Sequence, residues 1–170
     1  GETEFVVEQA TAHGDGPAGL QPCAAIVGWA DLMLGDQVQP VLEAHVAAGA
    51  GRFRGIRARP TWHGDPVVHP AGQGRDGVLR EPQVLHGVQR LGHMGLMLDL
   101  WLYHTQLADV EQLAARCPDT LLVLDHCGGP LGIGPFAGRR KEVFADWRTR
   151  IQALAKFENI RVKLGGLAMP

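Results

Sequence analysis

Short apolar runs recur along the chain. Each gives way to a polar or glycine-rich turn and then to a longer stretch of helical period, the signature of alternating strands and helices. The runs that predict strands are Phe5-Val6-Val7-Glu8, Ala24-Ala25-Ile26-Val27-Gly28, Phe53-Arg54-Gly55-Ile56-Arg57, Leu96-Met97-Leu98-Asp99-Leu100, Leu121-Leu122-Val123-Leu124-Asp125 and Ile160-Arg161-Val162-Lys163. Between them the pattern predicts helices over residues 38–48, ending near Gly49, over 84–91, stopped by Gly92, and over 107–117, closed by Pro118. A fourth, over 143–157, places Phe144, Trp147, Ile151 and Leu154 at helical spacing. Residues 60–80 are rich in Gly, Pro, His and Asp and show no period; connections of that length are usually functional or disordered, and this one is assigned to a loop on the catalytic side.

Six strands with intervening helices fit either an open doubly wound sheet or most of a closed barrel, and periodicity alone does not choose. The turns after Glu8 and Gly28 carry no glycine-rich phosphate loop of the kind an open nucleotide-binding sheet brings. Polar residues collect instead at the C-terminal ends of several runs, where a barrel builds its chemistry. The expectation is one α/β domain over residues 1–170. The chain opens at Gly1 without an initiator Met and stops in the loop Gly165-Gly166-Leu167-Ala168-Met169-Pro170, so it reads as a fragment.

Composition narrows the function classes. Hydrophobic residues make up 45% of the chain, enough for a real core, and 16 basic against 18 acidic residues leave a formal charge of -2 with no basic run. Nucleic acid is therefore not an expected partner. Cys23, Cys117 and Cys127 form no CxxC pair and too sparse a set for a disulfide framework, which points to a reducing compartment. No run approaches the roughly 18 to 20 apolar residues of a membrane span, and Gly1-Glu2-Thr3-Glu4 lacks the features of a signal peptide. A soluble, cytoplasmic protein without a membrane partner is expected.

The candidate chemistry lies at the strand ends. Asp125-His126 closes the most strand-like run and precedes Gly128-Gly129-Pro130, so His126 sits at a strand end beside a tight turn. An imidazole there can bind a metal, polarise a carbonyl or move a proton, or it can simply hydrogen-bond a neighbouring loop. Arg57 and Arg59 lie two apart on one strand face; each suits a substrate carboxylate or a solvated strand end. Trp62 and His63 open the long loop and either wall a pocket or anchor it. Asp99, Trp101 and His104 follow the fourth run, as pocket-lining residues or as packing and an ion pair. Lys163, ending the last run, needs a carboxylate partner in a barrel interior, with Asp125 and Asp99 as the candidates. The loop from Pro130 to Arg140 fits neither a dinucleotide fingerprint nor a P-loop, and His13, His45, His69, His86 and His93 show no ligand spacing and read as surface or helix residues.

With these residues in view, the chain resembles the branch of the amidohydrolase superfamily that groups amidohydrolase 2 type proteins with sugar-lactone and pyrone-dicarboxylate lactonases. The likeness runs through Phe53-Arg54-Gly55-Ile56-Arg57, Leu98-Asp99-Leu100-Trp101-Leu102-Tyr103-His104, Leu124-Asp125-His126-Cys127-Gly128-Gly129-Pro130 and Val162-Lys163-Leu164-Gly165-Gly166. It implies a partial (β/α)8 TIM-like barrel of about six βα units, corresponding to strands 2 to 7. The family's first-strand His-x-His pair and eighth-strand aspartate, which activates the attacking water, are absent from this sequence.

The resemblance further implies catalytic roles for His126, at the sixth-strand histidine position, and for Arg57, at the fourth-strand position that holds a substrate carboxylate. Arg59, Trp62, Asp99, Trp101 and His104 are then the expected substrate-binding residues. Asp99 and Trp101 stand where metal-rich members supply a histidine, so no metal is assigned; a divalent ion such as zinc, with His126 as ligand, stays open. The implied activity is hydrolysis of a lactone or amide of a small carboxylated or sugar-derived substrate, His126 polarising the carbonyl or carrying a proton and Arg57 anchoring the substrate. Two alternatives stand beside it: a catalytically inactive truncated barrel or scaffold, whose open sheet edges favour association including homo-oligomers, and a metal-dependent decarboxylase of the same superfamily. The isolated 170-residue chain is expected to be inactive.

Overall fold

The computed structural model describes residues 1–12, 14, 22–69 and 74–166. His13, residues 70–73 of the long loop and residues 167–170 of the terminal loop lie outside the described residues. Five helices and five strands alternate through them: α1 (Glu2–Ala12), β1 (Ile26–Gly28), α2 (Gln39–Ala48), β2 (Phe53–Ala58), α3 (Pro82–His93), β3 (Met97–Leu100), α4 (Leu107–Arg116), β4 (Leu122–Leu124), α5 (Arg140–Leu154) and β5 (Ile160–Val162). The strands form one parallel sheet in the order β1-β2-β3-β4-β5, so each helix carries the chain to the neighbouring strand, as in a barrel wall.

The first predicted strand is a correction. Phe5-Val6-Val7-Glu8 lies inside α1, which leaves five strands, those the resemblance places third to seventh. A three-residue apolar run is too short to fix a period. Its surroundings decide: Glu2 and Glu4 occupy the first turn, Thr3 and Ala10 are buried seven residues apart, and Val6 and Val7 pack against the core while Phe5 is exposed.

Alternation along the strands separates the two sheet faces. Ile56, Leu98, Leu100, Leu122 and Leu124 are fully buried and join Leu42 of α2, Val88 and Leu91 of α3, and Val110 and Leu113 of α4 in a single core. The opposite parity carries the charged positions: Arg57 stands opposite Asp99 in the β2–β3 register. Among the described residues no helix is long and apolar enough to cross a membrane.

Candidate functional site

The sheet face turned away from the helices holds four charges in mutual contact. Arg57 donates to Asp99 Oδ2 through Nε (2.9 Å) and Nη2 (2.6 Å). Lys163 Nζ reaches both Asp99 oxygens (2.7 and 2.6 Å) and Asp125 Oδ1 (2.9 Å). Asp125 Oδ2 lies 3.0 Å from Arg57 Nε, but that N–H is aimed at Asp99, so this buried oxygen has charge contact without a hydrogen-bond partner among the described residues. The carboxylates are buried, whereas the cations remain about half exposed at 47% for Arg57 and 44% for Lys163. Burial works against the charge on Arg57, but the hydrogen bonds and charge of Asp99, with the charge of Asp125, more than offset it and hold its pKa above the ordinary value. The same balance raises Lys163.

His126 follows Asp125 in an unusual stretch of backbone. His126 (φ 50°), Cys127 (56°), Gly128 (73°) and Gly129 (57°) are all left-handed, and the first two lack glycine's freedom. The surroundings hold this strain in place. The Cys127 amide donates to the Lys163 carbonyl (3.0 Å), and the Trp147 indole Nε1–H donates to the Cys127 carbonyl (2.7 Å) from α5. Gly166 lies against the imidazole so closely that a Cβ there would come within 2.5 Å of His126 Nδ1. The Trp101 ring meets the imidazole edge-on at 4.9 Å. Trp147→Phe keeps the ring packing and deletes the indole donor, so it should cost about 1–2 kcal/mol in urea unfolding and broaden or shift the His126 ring resonances.

A pocket of about 340 Å³ opens beside this turn, lined by Trp101, Tyr103, His126, Leu131, Ile133 and Gly166, among others. A second, of about 350 Å³, lies at the ends of β1 and β2 between Glu2, Val27, Gly28, Trp29, Arg57 and Arg59. The structure thus brings Trp101 and His126 to one pocket and Arg57 and Arg59 to the other, with the buried carboxylates of Asp99 and Asp125 bound to the cations. Asp99 is fully buried, so it positions Arg57 and Lys163 and presents no surface to a ligand.

His104 and Trp62 hold loops. Gln106 Oε1 accepts the Trp62 amide (3.1 Å) while its amide group donates to the Pro60 carbonyl (2.7 Å), which anchors the start of the long connection. His104 is buried, and its Nδ1 accepts the Leu131 amide (3.3 Å), fixing the loop that walls the first pocket. Burial lowers the His104 pKa below its ordinary value, with Asp146 pulling the other way. The folded form therefore takes up a proton less readily than the unfolded chain, and the stability this site confers is complete above about pH 6.5 and declines as pH falls below it. His104→Gln, whose side-chain oxygen also accepts an amide, should flatten the fall in urea midpoint between neutral and mildly acidic pH relative to the parent. His69, read from sequence as a surface or helix residue, is buried in the long loop, with its Nδ1 3.2 Å from the Tyr103 hydroxyl. The strand-end rule that found Trp101 also finds Trp29, which the sequence pattern alone did not single out; nothing in the sequence marks Trp147 or Gly166 as holding His126.

Comparison with known proteins gives the family. The amidohydrolase family model matches residues 18–169. The chain belongs to the amidohydrolase family. It is 32% identical over 169 residues to an uncharacterized protein of Sinorhizobium fredii, covering 99% of this chain and 50% of that protein. It is 30% identical over 145 residues to an L-fucono-1,5-lactonase of Burkholderia multivorans, covering 85% of this chain and 44% of the lactonase. Two crystal structures of an amidohydrolase from Burkholderia multivorans, one with bound zinc and one with bound HEPES, superpose with TM-scores of 0.69 and 0.70 at 29% identity, over 98% of this chain and 50% of theirs. This amidohydrolase chain thus spans about half the length of the relatives it matches, and its five parallel strands form part of a TIM-like barrel.

Proposed function

We propose that a protein carrying this segment at the length of its relatives hydrolyses a lactone of a sugar-derived acid, with His126 polarising the carbonyl or carrying a proton and Arg57 supplying positive charge to the substrate. The observation that supports this reading most is the placement of His126: half-buried, clamped in a left-handed turn at a strand end, and in the wall of a pocket large enough for a small ligand. A group fixed in this way needs little reorganisation as charge develops on a carbonyl oxygen. Arg57 keeps Nη1 free of any partner among the described residues, while its other nitrogens are fixed by Asp99. The similarity to an L-fucono-1,5-lactonase favours a lactone over an amide.

A zinc ion accompanies one related structure. Among the described residues no group of three His, Cys, Asp or Glu side chains is placed to hold a metal, and both strand-end carboxylates are engaged by Arg57 and Lys163, whose charge opposes a cation. The described residues therefore supply no donor set that fits a metal, and no step is assigned to one.

The test is hydrolysis of L-fucono-1,5-lactone and related sugar lactones, with and without chelator, by the relative-length protein and its His126→Ala variant. The expected result is activity that survives chelator and falls about 10²-fold in the variant, the range for loss of a positioned proton carrier. Full activity in His126→Ala, or no activity on any lactone, sinks the assignment.

A further inference from the structure

The second pocket, which Arg57 also lines, has a wall and an anchor that the proposed hydrolysis does not use: Trp29 and Arg59. Trp29 follows β1 with its main chain pinned: its carbonyl lies 3.0 Å from His45 Nε2, and His45 in turn lies 2.8 Å from Thr3 Oγ1 through Nδ1 and stacks on Phe53 at 5.0 Å. On this fixed backbone Trp29 is 64% exposed. Isolated exposed apolar residues are common, but this one shares both the second pocket and an adjoining cleft of about 140 Å³ with Arg59. Arg59 makes no hydrogen bond or ion pair with any described residue, unlike Arg57 beside it. Glu2, which is exposed, completes the rim.

These groups describe a ligand. A flat indole face takes the C–H face of a saturated ring. An uncommitted guanidinium fork takes a carboxylate through two parallel hydrogen bonds. A carboxylate on the rim accepts from hydroxyl groups and disfavours a dianion.

We propose that Trp29 and Arg59 form a subsite for a monocarboxylated sugar ring, the ring stacked on Trp29 and its carboxylate on Arg59. This rests on the reading of the site as one for lactones of sugar-derived acids and adds that the lactone ring keeps a second carboxyl group as a free carboxylate; it makes Arg59 the anchor of that carboxylate and Arg57 a fixed positive charge behind it.

Binding tests the subsite without catalysis. Titrating the 15N-labelled chain with D-glucuronate, D-glucose, acetate or inorganic phosphate and following the indole resonances of its 4 tryptophans separates ring from charge. The expected result is a saturable shift of the Trp29 signal with glucuronate. Arg59→Met should weaken that binding about tenfold, to the level of glucose. Acetate and phosphate should not move the indole. Arg59→Lys, which keeps the charge but not the fork, should recover only part of the loss. A Trp29 signal unmoved by glucuronate, an Arg59→Met affinity equal to the parent, or a response to phosphate as strong as to glucuronate overturns the subsite. Undiminished hydrolysis of a lactone that keeps a free carboxylate, such as D-glucaro-1,4-lactone, in Trp29→Ala and Arg59→Met would overturn it while leaving the hydrolase reading intact. Glucuronate binding in a protein that hydrolyses no lactone would do the reverse.

Discussion

Replacing Lys163 with methionine should destabilise the fold by about 3 kcal/mol at neutral pH, more than replacing either carboxylate it touches. The asymmetry follows from burial. Asp99 and Asp125 are 0% and 2% exposed, whereas Lys163 and Arg57 are near half exposed. Removing Lys163 strands two buried carboxylates on one arginine, and they cannot move to water. Asp99→Asn leaves two cations whose long stems let their heads remain hydrated, at about 1–2 kcal/mol. The pH dependence separates the cases as well. A protonated carboxyl needs no cation, so the Lys163→Met deficit should narrow as pH falls. In the parent, Lys163 has its pKa raised above the ordinary value, so its contribution is complete below that value, about 10.5, and is lost only as pH rises through the higher folded one. Urea unfolding of both variants at neutral and acidic pH measures this. An Asp99→Asn loss as large as that of Lys163→Met, or a Lys163→Met deficit independent of pH, would show that the four charges are not one unit.

The sequence made the parallel sheet legible because a strand buried on both faces reads as an unbroken apolar run, as β4 does with Leu122, Val123 and Leu124 all buried. It also put His126 at a strand end beside a tight turn and named Asp125 and Asp99 as the candidate partners of Lys163, since a lysine in a barrel interior needs a partner. Phe5-Val6-Val7 misled because β-branched residues favour strands, while burial seven residues apart at Thr3 and Ala10 made it a helix. The left-handed backbone at His126 and Cys127 had no sequence signal at all, because neither is glycine and the conformation is imposed by Lys163, Trp147 and Gly166 from other elements. An arginine partner for Asp99 was among the readings, but not that Arg57 meets both Asp99 and Asp125: that needs three neighbouring strands in register before it can be seen, and it is what distinguishes Arg57 from Arg59, which has no such partner among the described residues.

Gly129→Ala should be more damaging still, at roughly 4 kcal/mol or more, the range reserved for unrelieved core conflicts. Gly129 is left-handed (φ 57°), and a Cβ there would stand 2.1 Å from the Leu102 carbonyl oxygen and 3.1 Å from its carbon. Those atoms are backbone, held by the link between β3 and α4, and the Gly129 carbonyl accepts the His104 amide at 2.9 Å. Nothing flexible can yield. Gly95 supplies the comparison: it is also left-handed (φ 66°), but a Cβ added there would have no other atom within 4 Å, so Gly95→Ala meets only the conformational cost of about 1–2 kcal/mol. The difference between the two variants in urea unfolding therefore isolates the steric term. Because Gly129 closes the same turn that holds His126, the displaced turn should also move the imidazole out of the pocket wall, and the lactone hydrolysis proposed for the relative-length protein should fall along with stability where the variant is still folded. Equal losses for Gly129→Ala and Gly95→Ala would mean that the turn can relax away from Leu102, and that His126 is held less tightly than its contacts indicate.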